Sequence, residues 1–194
     1  MKLIGSATSP YVRRIRLLLA ANAQAYSFTD LNIYGEDRDE LRKRNPALKI
    51  PVLYDDDEIL YDSRVIFRYL SGKLSLPGLS WAEENRLTVI DAVNDSMVTL
   101  LLSQRSGLDT DRDCLIFNLQ HERVEKSLAA LESWAGEGCF EAWDYTAICL
   151  YSMLDWCLFR GLIELDATPN LSAWFNAQQG RPDLAKTDPR LADQ

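Results

Sequence analysis

The chain has 194 residues, 47% of them apolar and 26% charged, a composition that supports a folded core and argues against extensive disorder. Its formal net charge of -8 lacks the basic footprint that nucleic acids and anionic membrane surfaces select, so neither is expected as a partner. No apolar run is long enough to span a bilayer, and the opening residues lack the basic, apolar and small-residue order of a secretion signal; a cytoplasmic protein of one or two domains is expected.

Residues 1–6 are an apolar run of strand length. Val12, Ile15, Leu18 and Leu19 then fall on one helical stripe, with Arg13, Arg14 and Arg16 largely off it, which predicts a helix with one buried face. Residues 26–33 alternate in strand fashion with a slip at Asp30. Residues 36–44 carry acids first and bases last, the order that complements a helix dipole, and Asn45 and Pro46 end that helix. Ile50, Pro51, Val52, Leu53 and Tyr54 pair with Ile59, Leu60 and Tyr61 across an acidic turn as a hairpin. Asp62 and Ser63 precede a further helix through Val65, Ile66, Tyr69 and Leu70. The order to this point is β-α-β-α-β-β-α.

From residue 81 onward no strand alternation returns, and the second half is expected to be all α. Long helices are predicted over residues 81–105 and 111–136. An almost wholly apolar helix, as for the centre of a bundle, is predicted over 145–165, and a shorter one over 169–180. The expected organisation is a first domain at 1–73, a linker at 74–80 and a helical domain at 81–194. The four cysteines, Cys114, Cys139, Cys149 and Cys157, form no C-x-x-C pair and are expected to pack as small apolar side chains. His121, the only histidine, lies among charged residues on a solvated helix position. No metal site and no Ser-His-Asp triad is expected.

Three short stretches carry chemistry. Ser9 and Pro10 form an ordinary N-cap and N1 pair, yet the same arrangement sets a hydroxyl at the positive end of a helix, where it can face an anion. Pro51, at the head of a strand, is either a plain turn residue or the site of a cis bond; a cis bond would turn the Ile50 N–H and C=O outward, able to pair with an extended peptide. Asp62 and Ser63 mark a second helix start, suited either to capping or to holding the ammonium and carboxylate of an amino-acid head group. Each stretch alone is open; their occurrence in one β-α-β-α-β-β-α unit argues against coincidence.

The ensemble resembles the glutathione S-transferase family, with a thioredoxin-like first domain followed by an all-helical one, and is most similar to small bacterial members with a catalytic serine. Ser9 to Arg13 looks like the serine-type active-site stretch, Lys49 to Leu53 like the cis-proline segment, and Asp62 and Ser63 like the acid-serine pair. The resemblance implies glutathione as co-substrate, with no metal. Its γ-glutamyl head would meet Asp62 and Ser63, its cysteinyl main chain Ile50, its glycyl end Lys49, and its thiol Ser9, the catalytic residue. It further implies transfer of the thiolate to a small hydrophobic electrophile, bound near Tyr11, Leu101 and Arg105 by the helical domain, in a homodimer. A binding or regulatory module of the same fold, without turnover, is the alternative. Serine argues against disulfide exchange, since it cannot form the mixed disulfide. One departure stands out: three residues before Asp144, where the family has Ser or Thr as part of a helix cap, this chain has Glu141.

Overall fold

The computed structural model describes residues 1–193. It divides into two compact units, residues 1–78 with the chain from residue 180 onward, and Leu79–Gln179.

In the first unit β1 (Lys2–Gly5), β2 (Ser27–Asp30), β3 (Val52–Asp55) and β4 (Glu58–Tyr61) form one sheet in the order β2-β1-β3-β4. β1 and β2 are parallel and the other pairings antiparallel. This mixed sheet, with helices α1 (Pro10–Ala21), α2 (Arg38–Arg44) and α3 (Ser63–Lys73), is the expected thioredoxin-like arrangement. Strand side chains alternate between faces. Ile4 and Val52 therefore share a side and pack with Leu31, Ile33, Tyr54 and Tyr61. Leu3 and Leu53, on the opposite side, are fully buried, as are Val12, Ile15, Ile66 and Leu70 of α1 and α3, which pack against each other. The second strand is shorter than the alternation suggested because Asn32 donates its N–H to Asp37 Oδ2 at 2.8 Å, turning the chain toward α2.

Arg13 and Arg14 are buried rather than solvated. The reason lies at the other end of the chain. Short helix α8 (Pro182–Lys186), which periodicity did not reveal, packs on α1. Arg13 donates through Nε to Thr187 Oγ1 at 3.3 Å and through Nη2 to the Leu184 carbonyl at 3.4 Å; Arg16 Nη2 reaches the Lys186 carbonyl at 3.1 Å. Guanidinium groups thus satisfy carbonyls at a helix C-terminus, where cations are favoured. The expected boundary of 81–194 for the helical domain is corrected accordingly: among the described residues, 180–193 belong with the sheet.

The second unit is all α: α4 (Trp81–Arg105), α5 (Leu115–Gly136), α6 (Tyr145–Phe159) and α7 (Pro169–Gln178). Ser80 and Glu83 close a capping box on α4, Glu83 Oε2 accepting the Ser80 N–H at 2.7 Å. Helix α5 starts at Leu115, four residues later than expected, because the Asp109 carboxylate takes the Asp111 N–H at 3.1 Å, competing with helical bonding. Helix α6 is buried from Tyr145 through Cys157, the bundle centre the sequence implied. It ends at Phe159 because Gly161 adopts φ 64, and Leu162 N and Gly161 N donate to the Cys157 and Leu158 carbonyls, the closing pattern glycine permits. Asp144 caps α6, accepting from Ala147 N at 2.9 Å, while Glu141 is exposed with its carboxylate against Gly138. Of the cysteines, Cys149 and Cys157 are buried as expected, whereas Cys114 and Cys139 are half-buried; burial pushes the Cys157 thiol far above its ordinary range.

Candidate functional site

Sheet register brings the three stretches together. Ile4 lies opposite Val52 in the β1–β3 pair, and Val52 opposite Tyr61 in the β3–β4 pair. Continuing each antiparallel register by one residue sets Gly5 beside Pro51 and Pro51 beside Asp62. The exit of β1, the entrance of β3 and the exit of β4 are therefore neighbours at one end of the sheet, at strand spacings of about 4.8 Å. Close approach is visible at Gly5, where an added Cβ would stand 2.4 Å from Val12 Cγ2 and 3.4 Å from Ile50 Cβ. Helices α1 and α3 both begin at this end, directing the positive ends of their dipoles toward it.

Ser9 has extended backbone (φ -81, ψ 128) and caps α1 through Oγ, which accepts from Val12 N at 3.4 Å. Accepting uses a lone pair only, so the hydroxyl proton stays available to donate. Ser6 Oγ and Thr8 Oγ1 bond to each other at 3.1 Å. Ser9 thus offers, at the start of α1, a hydroxyl proton with no acceptor among the described residues. The loop is fastened by Asp30, whose Oδ1 accepts from Ala7 N at 2.8 Å, and by Leu31 N donating to the Gly5 carbonyl at 2.9 Å.

The Ile50-Pro51 bond is cis. Ile50 is half-buried, and its main-chain N–H and C=O have no hydrogen-bond partner among the described residues. Lys49 is exposed on the preceding loop. Asp62 is the cap of α3, its Oδ1 accepting from Arg64 N at 2.8 Å, and Ser63 is the buried first helical residue. Asp62 sits at φ 71, ψ 135, a conformation costing a non-glycine residue on the order of 1–3 kcal/mol and tending to occur where function requires it.

Tyr11 is half-buried on α1 with the Arg14 guanidinium 4.9 Å from its ring centre. Leu101 and Arg105 share a face at the C-terminal end of α4 in the other unit, Leu101 half-buried and Arg105 exposed. Among the described residues no group of three or more His, Cys, Asp or Glu side chains could hold a metal ion, and no helix is long and apolar enough to cross a membrane.

Two residues at this end escaped the sequence reading. Asp30 registered only as a slip in an alternating strand, and Asn45 only as a helix terminator. Asn45 is buried and hydrogen-bonds both Ala47 N and the Lys49 carbonyl. Neither role leaves a local pattern, because each depends on where a distant or folded-back loop passes.

Residues 3–77 match the family model described as the N-terminal domain of glutathione S-transferase. The uncharacterized GST-like protein YibF of Escherichia coli K12 is 29% identical over 147 residues, 71% of each chain. Glutathione S-transferase 1 of Zea mays is 26% identical over 205 residues, covering 96% of this chain and 94% of its own. A crystal structure of a glutathione transferase family member from Pseudomonas fluorescens Pf-5, with bound glutathione, superposes with a TM-score of 0.80 at 27% identity, covering 96% of this chain and 97% of that one. Residues 3–77 thus match the glutathione S-transferase N-terminal domain, and nearly the whole chain, a thioredoxin-like sheet unit and an all-helical unit, is similar to glutathione S-transferases in sequence and fold.

Proposed function

We propose that the protein conjugates glutathione to small hydrophobic electrophiles, with Ser9 stabilising the thiolate. The observation that carries this reading is the Ser9 hydroxyl, free to donate at the start of α1, at the same sheet end as the unpaired Ile50 main chain and the Asp62 carboxylate. Glutathione would lie across that end. The Ile50 N–H and C=O would pair with its cysteinyl main chain as an added strand does. Asp62 would receive the γ-glutamyl ammonium, with Ser63 at the head-group carboxylate, and Lys49 would approach the glycyl carboxylate. The thiol then meets Ser9 Oγ. A donated hydrogen bond and the dipole both favour thiolate over thiol; helix starts lower thiol pKa values from about 8.5 into the range of roughly 3.5–7.5.

The chemical step is a displacement. The sulfur pair forms a C–S bond at the electrophilic carbon, the leaving group departs with its bonding pair, and the thiol proton has already passed to solvent. Tyr11, Leu101 and Arg105 are our candidates for electrophile contacts. The protein is read as a cytoplasmic homodimer that uses glutathione as co-substrate and no metal.

The test is steady-state conjugation of a chloronitrobenzene, together with calorimetry using reduced glutathione. A glutathione-dependent rate that drops in Ser9→Ala is the expected result. Heat of binding without any turnover would instead favour a glutathione-binding regulatory module, and absence of both would refute the proposal. Light scattering should give twice the 22.1 kDa chain mass; a monomer alone would remove the homodimer.

A further inference from the structure

We propose that Asn45 is a positioning residue for glutathione, aiming the Ile50 N–H at the bound peptide by holding the carbonyl of the same peptide plane. The inference rests on the reading that glutathione occupies this end of the sheet.

Asn45 follows the last residue of α2 and is 1% exposed, although residues 46–49 after it are all exposed. A side chain that deep beneath a solvated loop has a structural task, and its bonds state it. The Asn45 N–H donates to the Leu41 carbonyl at 3.0 Å, and its own carbonyl accepts from Leu48 N at 2.9 Å. Oδ1 accepts from Ala47 N at 2.9 Å, and Nδ2 donates to the Lys49 carbonyl at 2.7 Å. One buried amide thereby closes residues 45–49 into a fixed loop, including Leu48 at φ 55, a conformation that a leucine keeps only where its surroundings impose it.

The bond to Lys49 has a directional consequence. The peptide joining Lys49 to Ile50 is trans, since the Ile50-Pro51 bond is the cis one of the described chain. In a planar trans peptide the C=O and N–H point in opposite directions. With the Lys49 oxygen turned inward to Asn45, the Ile50 N–H is turned away from it and finds no partner among the described residues. Without Asn45 that peptide unit could rotate while its flanking Cα atoms scarcely move, exchanging donor for acceptor. Asn45 therefore supplies preorganisation, removing an ordering cost that would otherwise fall on ligand binding.

Asn45→Asp tests this with little change of shape. One carboxylate oxygen still accepts from Ala47 N, while the other faces the Lys49 carbonyl as acceptor against acceptor. Calorimetry with reduced glutathione should show binding weakened about tenfold or more, the scale of one lost directional hydrogen bond. KM for glutathione should rise while kcat at saturation changes far less, because Ser9 is untouched. Thermal melting of the unliganded variant checks that the fold persists. On the wild type, the Ile50 amide should exchange slowly with solvent once glutathione saturates and fast without it, a measurement that can overturn the pairing Asn45 is proposed to serve even if the variant does not fold. Equal affinity of variant and wild type would overturn the role of Asn45 alone, whereas an Ile50 amide whose exchange ignores glutathione would remove the Ile50 pairing and the role of Asn45 with it. No binding by the wild type would overturn the glutathione reading and this inference with it.

Discussion

Ser9→Ala separates capping from catalysis, because the geometry assigns the two jobs different magnitudes. As a cap, Ser9 Oγ accepts from Val12 N at 3.4 Å, beyond the usual 2.7–3.2 Å range. Losing it should cost only about 0.5 kcal/mol, the low end for N-caps, and Pro10 at N1 still favours the helix start. As a donor to sulfur, the same hydroxyl makes a charge-assisted bond worth about 1.5–3 kcal/mol. That converts to a rise of roughly one to two units in the pKa of the bound thiol. Conjugation rates measured against pH should therefore fall roughly 10–100-fold below the wild-type pKa and converge on wild type at alkaline pH, where both forms hold thiolate. Chemical denaturation of the unliganded proteins supplies the other half. A rate ratio that does not vary with pH, or a stability loss near 2 kcal/mol with an unchanged thiol pKa, would refute the reasoning and leave Ser9 a cap.

Three further expectations concern the scaffold. Gly5→Ala places a methyl 2.4 Å from Val12 Cγ2, in a fully buried side chain; overpacking of about 1–3 kcal/mol is expected in denaturant titrations, with displacement of the α1 start raising KM for glutathione. Burial pushes the Asp144 carboxyl up despite bonds from Ala147 and Thr146, so its contribution is fully present below the ordinary carboxylate value and is lost as pH rises through the raised one. Asp144→Asn should thus gain on wild type as pH rises from the ordinary carboxylate value through the raised one, whereas Asp144→Ala, losing the cap, should cost about 1–2 kcal/mol. Burial also raises Asp55, but hydrogen bonds from Lys73 and Tyr69 outweigh it and hold the carboxyl below its ordinary value of 3.8. Its stabilisation is present above that value and lost as pH falls through the folded one, so Asp55→Asn should flatten the acid limb of a melting-temperature profile; an unchanged limb would contradict the assignment.

What could be read from the chain alone was local. The extent of α4 follows from the apolar stripe over residues 81–105. The buried surround of α6 follows from a run of apolar residues with no polar face. Even the candidate site was legible as residue types, because a hydroxyl at a helix start and a proline at a strand head are sequence-adjacent signals. Failures were equally local in origin: the carboxylate of Asp109 bonds Asp111 N within its own turn and delays α5, a competition that an apolar stripe does not record.

The sequence by itself determined the order of elements from β1 to α7 and the residue types at Ser9, Ile50, Pro51, Asp62 and Ser63, since periodicity and capping chemistry are carried by near neighbours. Tertiary structure alone decided that these residues share one end of the sheet, because strand register is a long-range choice. It also decided that α8 returns to α1, where Arg13 and Arg16 bond carbonyls about 170 residues away in sequence. The orientation of the Ile50 N–H belongs to the same class: it depends on the path by which residues 45–49 fold back on Asn45, and a loop's path is set by which buried groups must find partners.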